Sequence, residues 1–154
     1  MERKTQINAA DGKQELLITR EFDLPLELLF KAYVEPEIVE QWMGTKVLKL
    51  ENKKHGSYQF ETTDSKGNKY GFNGTIHEFS PNQKITRTFE MENTPFGIQL
   101  EYLEFEKLTD GTSKLTMHVI YRSVELRDKM LQLPFKQGIN MAHSRLESIV
   151  SKLK

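Results

Sequence analysis

The chain has no cysteine. That excludes a disulfide framework, a thiolate nucleophile, Cys-ligated zinc and iron–sulfur clusters. It has no run of 18 apolar residues, so no segment suits a membrane-spanning helix. The opening residues Met1-Glu2-Arg3-Lys4-Thr5-Gln6 lack the apolar stretch of a secretion signal, and a cytoplasmic location is the expectation. Neither charge sign is in excess: 22 Lys and Arg balance 22 Asp and Glu. Nucleic-acid binders carry a basic surplus, so no nucleic-acid partner is expected. The densest basic stretch, Lys46 to Lys54, is interrupted by Glu51. No GxSxG elbow, phosphate-binding loop, dinucleotide fingerprint, HExxH helix or EF-hand loop occurs. The four histidines, His55, His77, His118 and His143, are not paired at helical spacing, so no metal is expected. No cofactor motif is present either.

What is present reads as an ordered α+β chain. At 154 residues it can bury roughly 70% of its unfolded surface, enough for one core. Residues 1–14 are polar and read as loose or as the start of a short strand; residues 15–154 read as a single domain. Glu15 to Asp23 is rich in β-branched and aromatic residues and reads as a strand. Pro25 then sits where a helix can begin, followed by Leu26, Leu29, Phe30 and Tyr33 at helical spacing. Pro36 opens a second short helix carrying Ile38, Val39 and Trp42, and Gly44 closes it. From Lys46 to Arg122 the apolar period changes to two, broken by turn residues such as Asp64-Ser65-Lys66-Gly67-Asn68 and Ser80-Pro81-Asn82. That pattern predicts about six more strands in an antiparallel meander with one apolar face. The tail is helical, with a break expected near Pro134, and carries a stripe of Ile139, Ala142, Leu146, Ile149 or Val150, and Leu153. The charges on this last helix, Lys136, Arg145, Glu147 and Lys152, read as a solvated face, or alternatively as a contact for a partner protein.

The expected fold is therefore a curved antiparallel sheet of six to seven strands. Two short helices follow strand 1, and a long C-terminal helix packs across the sheet. A sheet with one apolar face has to cover it, and only the tail is long enough. A cavity between sheet and helix is expected.

Several segments now carry a resemblance. They are Phe22…Pro25, Val39-Glu40-Gln41-Trp42-Met43-Gly44, Gly71-Phe72-Asn73-Gly74-Thr75-Ile76, Asp110-Gly111-Thr112 and Ser123 to Leu131, with Gly138 and Arg145-Leu146 beyond. In this order the chain resembles the activator-of-Hsp90-ATPase-homologue-like branch of the START-like, helix-grip superfamily, from about Ile18 to Leu153. One departure stands out: the family's Gly-Gly before the second long strand is His55-Gly56 here, and one glycine should suffice for the turn. The resemblance implies a groove that holds lipids, hormones or polyketides in some relatives, and chaperone contacts in the namesake. It carries no shared catalytic motif.

The candidate ligand-cavity residues are Trp42, Tyr58, Phe60, Phe72, Arg87, Phe89, Glu101, Leu103, Phe105, Met117, Tyr121, Met130, Phe135 and Ile139. The aromatic and sulfur side chains suit an apolar guest, and they equally suit an ordinary core. Trp42 stacks on a ligand at the cavity mouth, or packs between the second short helix and the sheet. Arg87 shares the phase of Ile85 and Phe89, and Glu101 that of Leu103 and Phe105. If the phase is unbroken, both point into the groove and pair with each other, with water or with a ligand. A bulge or strand end would instead turn them to solvent. A carboxyl in an apolar groove is also equipped for acid–base chemistry.

Three functions follow. The leading one is binding of a small apolar or amphipathic molecule. The second is co-chaperone-like contact with an Hsp90-type partner through the outer surface. The third, a cyclase or hydrolase using Glu101 or a Tyr, has no motif behind it.

Overall fold

The computed structural model describes residues 4–154. A three-residue strand β1 (Gln6–Asn8) comes first, then β2 (Glu15–Phe22), α1 (Leu26–Val34) and α2 (Pro36–Met43). Six strands follow: β3 (Lys46–Leu50), β4 (Ser57–Thr63), β5 (Lys69–Ser80), β6 (Lys84–Met91), β7 (Ile98–Lys107) and β8 (Ser113–Ile120). Helices α3 (Val124–Gln132) and α4 (Phe135–Ser151) end the chain. The strands form one sheet in the order β1-β2-β8-β7-β6-β5-β4-β3, each pair antiparallel.

The sheet has eight strands rather than six or seven. The addition is β1, which lies in the polar segment 1–14, of which residues 1–3 fall outside the described residues. Three residues are too few to display an alternation, so this strand leaves no periodic signal. It exists because β2 offers it an edge: Gln6, Ile7 and Asn8 pair with Thr19, Ile18 and Leu17.

Local chemistry sets the helix limits. The Pro25 carbonyl accepts the first α1 bonds, from Leu28 and Leu29 N–H. Pro36 stands at the start of α2, where a missing N–H costs nothing, and Gly44 ends it in the left-handed conformation at φ 63°. Ser123 caps α3 by accepting the Leu126 N–H at 3.1 Å. The chain leaves helix at Leu133-Pro134, as expected, and re-enters at Phe135.

The His55-Gly56 departure has a steric account. His55 takes the left-handed backbone at φ 67°, while a Cβ on Gly56 would lie 2.3 Å from the Glu51 carbonyl oxygen. The position with no room for a side chain keeps its glycine, and the neighbour bears only a conformational cost.

The core lies between the inner sheet face and the helices. Leu16, Ile18 and Phe22 of β2, Leu103 of β7 and Leu115 of β8 are fully buried, with Leu146 and Val150 of α4. The α4 stripe stops at Val150, and Leu153, expected to extend it, lies beyond the helix and is exposed.

Two charges expected on the solvated face of α4 are structural instead. Glu147 accepts the Asp23 N–H at 2.7 Å and lies 3.8 Å from Arg20, and Arg145 donates to the Trp42 carbonyl at 3.1 Å. Arg20 is buried and donates to Asn140 and Ser144 of α4. Beside it His143, 2% exposed, bonds the Thr5 hydroxyl at 2.6 Å and meets the Phe22 ring edge-on. These contacts join β2, the N-terminal segment and α4.

Burial and the adjacent Arg20 guanidinium lower the His143 pKa from 6.5 to about 3. Above pH 6.5 the imidazole is neutral whether the chain is folded or not. Below it the unfolded chain takes up a proton that the folded chain refuses. Stability should therefore fall as pH drops from about 6.5 toward 3, by at most about 1.4 kcal/mol per pH unit from this group. In denaturant melts between pH 7.5 and 4.5, His143→Gln should show a flatter dependence than wild type. Parallel curves would mean that His143 does not carry the effect.

Candidate functional site

The β6–β7 ladder places three inner-face pairs in succession: Ile85 with Leu103, Arg87 with Glu101, and Phe89 with Gln99. Ile85 and Leu103 are fully buried, and Phe89 is only half-buried. The charged pair thus sits one rung above the closed oily end, where α1 brings Phe30 and Tyr33 onto Phe105.

Both charges face inward, with no bulge between them. Arg87 is 8% exposed and Glu101 5%. Arg87 Nε donates to Glu101 Oε1 at 3.0 Å, and Gln99 Nε2 donates to Glu101 Oε2 at 2.9 Å. The guanidinium carbon lies 5.1 Å from the centre of the Tyr58 ring, a cation–π contact. Burial opposes the Arg87 charge, but Tyr58 and Glu101 outweigh it and hold the pKa above its ordinary value.

Tyr58 has its own reason to be there. It pairs across the ladder with Gly74, and a Cβ on Gly74 would lie 2.6 Å from the Tyr58 ring and 2.0 Å from the Thr88 carbonyl oxygen. With no side chain at Gly74, the Tyr58 hydroxyl crosses β5 and donates to Thr88 O at 2.6 Å.

Tyr33 of α1 is different. It is 6% exposed, and its hydroxyl makes no hydrogen bond among the described residues. Burial raises its pKa, and it lies close enough to Arg87 and Glu101 to feel both charges. Tyr121, just past β8, is also buried, and its pKa is raised by burial and by Glu101. A buried hydroxyl without a partner costs about 1–3 kcal/mol.

The remaining candidates fall into two groups. Phe60, Leu103, Phe105, Met117 and Met130 are buried and belong to the core cluster. Phe72, Phe89, Phe135 and Ile139 are partly buried and pack against it; Phe72 and Phe89 stack with centroids 5.6 Å apart. Trp42 is not at a mouth. It is 4% exposed, donates Nε1–H to the Ala32 carbonyl at 2.7 Å, and meets Tyr33 edge-on. That hydrogen bond ties α2 to α1, so Trp42 is a packing residue.

Sequence reasoning missed Tyr33, Gln99 and Arg20. Gln99 precedes Glu101 by two and so shares its inward phase, and Arg20 shares the phase of Leu16, Ile18 and Phe22. Period-two counting would have found both. Tyr33 reads as one more apolar position of α1, and nothing local says that its hydroxyl ends near a charge pair.

Among the described residues, no group of three or more His, Asp or Glu is placed to hold a metal ion. No helix there is long and apolar enough to cross a membrane. The outer sheet face carries a depression between Glu15, Leu17, Glu104 and His118, in which His118 bonds Glu15 at 2.6 Å. His118 and Glu15 already satisfy each other there and Leu17 is exposed, which makes it a weaker candidate than the interior.

An open antiparallel sheet closed on one face by a terminal helix, with a polar island in the oily layer, defines a START-like helix-grip protein. The chain belongs to the Activator of Hsp90 ATPase homolog 1-like protein family, whose model matches residues 23–151. No curated protein matches it. Solved structures share the fold. A protein from Rhodobacter sphaeroides is 21% identical with a TM-score of 0.86, covering 97% of this chain and 99% of that one. Protein Ms6760 from Mycobacterium smegmatis is 20% identical with a TM-score of 0.83, covering 95% and 96%. A protein from Arthrobacter aurescens is 15% identical with a TM-score of 0.85, covering 96% and 91%.

Two substitutions separate packing from polarity. Trp42→Ala should cost about 3–5 kcal/mol in a urea melt, the loss typical of a truncated core Trp. A cost below 1 kcal/mol would remove its packing role. Glu101→Leu leaves Arg87 buried and unpaired and should cost about 3–5 kcal/mol, while Arg87→Leu with Glu101→Leu should recover most of that loss. A double variant as unstable as the single one would show that the two charges do not act as a pair.

Proposed function

We propose that this protein binds a small amphipathic molecule between the sheet and α4, as a carrier or sensor rather than an enzyme. The apolar body lies against Phe72, Phe89, Met130, Phe135 and Ile139. The polar head reaches the island formed by Arg87, Glu101 and Tyr33. The observation that carries this reading is the Tyr33 hydroxyl, buried and without a hydrogen-bond partner among the described residues, beside an inward charge pair. Buried polar groups are nearly always satisfied, so an unmet one within electrostatic reach of a charge pair fits a partner that arrives from outside. The exposure gradient along β6 and β7 supplies a direction: half-open at Phe89, closed at Leu103.

Family membership supports a second reading, contact with an Hsp90-type chaperone through the outer surface. No inward residue bears on it.

Native mass spectrometry of freshly purified protein should show an added mass that denaturing conditions remove. A library of apolar and amphipathic compounds should raise the melting temperature for some members. A bare mass with no thermal shift across the library, together with a faster ATPase in a purified Hsp90, would favour the chaperone reading instead.

A further inference from the structure

Resting on that groove reading, we infer that the interior site selects a neutral ligand whose head is a hydrogen-bond acceptor, a carbonyl oxygen above all, and disfavours an acid. Free donor capacity is the first argument. Arg87 spends Nε on Glu101, and among the described residues its two terminal nitrogens make no hydrogen bond. A guanidinium carries four N–H groups on those nitrogens. The Tyr33 O–H adds a fifth unspent donor. On the acceptor side, each Glu101 oxygen already takes one donor, from Arg87 and from Gln99. The Tyr58 hydroxyl is committed to Thr88 O. Unspent donors therefore outnumber the unspent lone pairs of Glu101 and Tyr33.

Charge is the second argument. Arg87 and Glu101 cancel, so the island is neutral as it stands. Arg127, a further buried guanidinium, is held by Asp128 and by the carbonyls of Ala10 and Glu15. A carboxylate head would leave a net negative charge inside the apolar layer, where unpaired charge is expensive. A carbonyl meets the donors and adds no charge. Donor geometry and neutrality therefore point to the same chemistry: ketones, amides or esters on an apolar skeleton.

Matched probes test this at pH 7.5 by calorimetry: naphthalene, 2-acetylnaphthalene and 2-naphthoate, with 2-nonanone and nonanoate as flexible counterparts. The ketones should bind at least about tenfold tighter than the matching carboxylates. Tyr33→Phe removes an unpartnered hydroxyl and keeps the ring, so it should melt no lower than wild type. It should weaken the ketones about three- to tenfold, the range of one neutral hydrogen bond, and leave naphthalene unchanged. Equal affinity for ketone, acid and hydrocarbon, untouched by Tyr33→Phe, would overturn the selectivity and leave the groove standing. Tighter binding of the carboxylates would overturn it in favour of an acid head. No binding by any probe, in wild type or variant, would count against the groove itself.

Discussion

The inner sheet face puts Leu16, Ile18, Ile85, Leu103, Leu115 and Val119 side by side, and no neighbouring strand can cover them. Antiparallel pairing satisfies the backbone within the sheet but leaves this face to be removed from water by something else. The chain solves the problem from both ends. After β2 it crosses to the far edge through α1 and α2, and after β8 it returns over the sheet as α3 and α4. Because β2 pairs with β8, the first and last long strands are neighbours, and the helices that follow each can meet over one face. Trp42 fastens α2 to α1, and Arg145 fastens α4 to Trp42. The cover is therefore one connected piece, and its position depends on the sheet's register.

That register is also what makes the charge pair possible. Arg87 and Glu101 are opposite one another on adjacent strands, so a one-residue slip of either strand would send its own charge to the solvent face with its apolar neighbours and leave the other charge buried alone. Buried pairs of this kind rarely add stability, since desolvation offsets the attraction. A pair of leucines would cover the same area at less cost. The pair contributes penalties against wrong registers, because each charge is tolerable inside only when the other is opposite.

Much of this was legible in the sequence. The period-two runs from Lys46 to Arg122, the prolines at 25, 36 and 134 and the glycine at 44 mark element boundaries through steric rules that hold without tertiary context. β1 was legible only as one of two alternatives for residues 1–14, since a three-residue edge strand is defined by its partner rather than its own pattern. Nor was the tertiary use of Arg145 and Glu147, because a charge on a helix face looks the same whether it meets water or a distant carbonyl. Within the site, phase alone brings Arg87 and Glu101 to one side. Gly74 reads as a strand glycine, and only the fold shows that its missing Cβ lets the Tyr58 hydroxyl reach Thr88.

Register specificity accounts for Arg87 and Glu101, and packing accounts for the Tyr33 ring, which meets Trp42 and Phe105 edge-on. Neither accounts for the Tyr33 hydroxyl. A phenylalanine would keep both ring contacts and avoid burying an oxygen without a partner. Nor does either explain why Arg87 is bonded through Nε, a mode that turns its two-nitrogen edge away from Glu101 rather than forking onto it. A pair built only to lock register gains most from the bidentate arrangement. The side-on arrangement leaves the guanidinium's two-nitrogen edge without a protein partner, on the rung between the closed core at Leu103 and half-buried Phe89, while the Tyr33 hydroxyl is buried with no partner among the described residues. Two donor groups without a protein partner, neither required by register or by packing, are what the proposed ligand head would join.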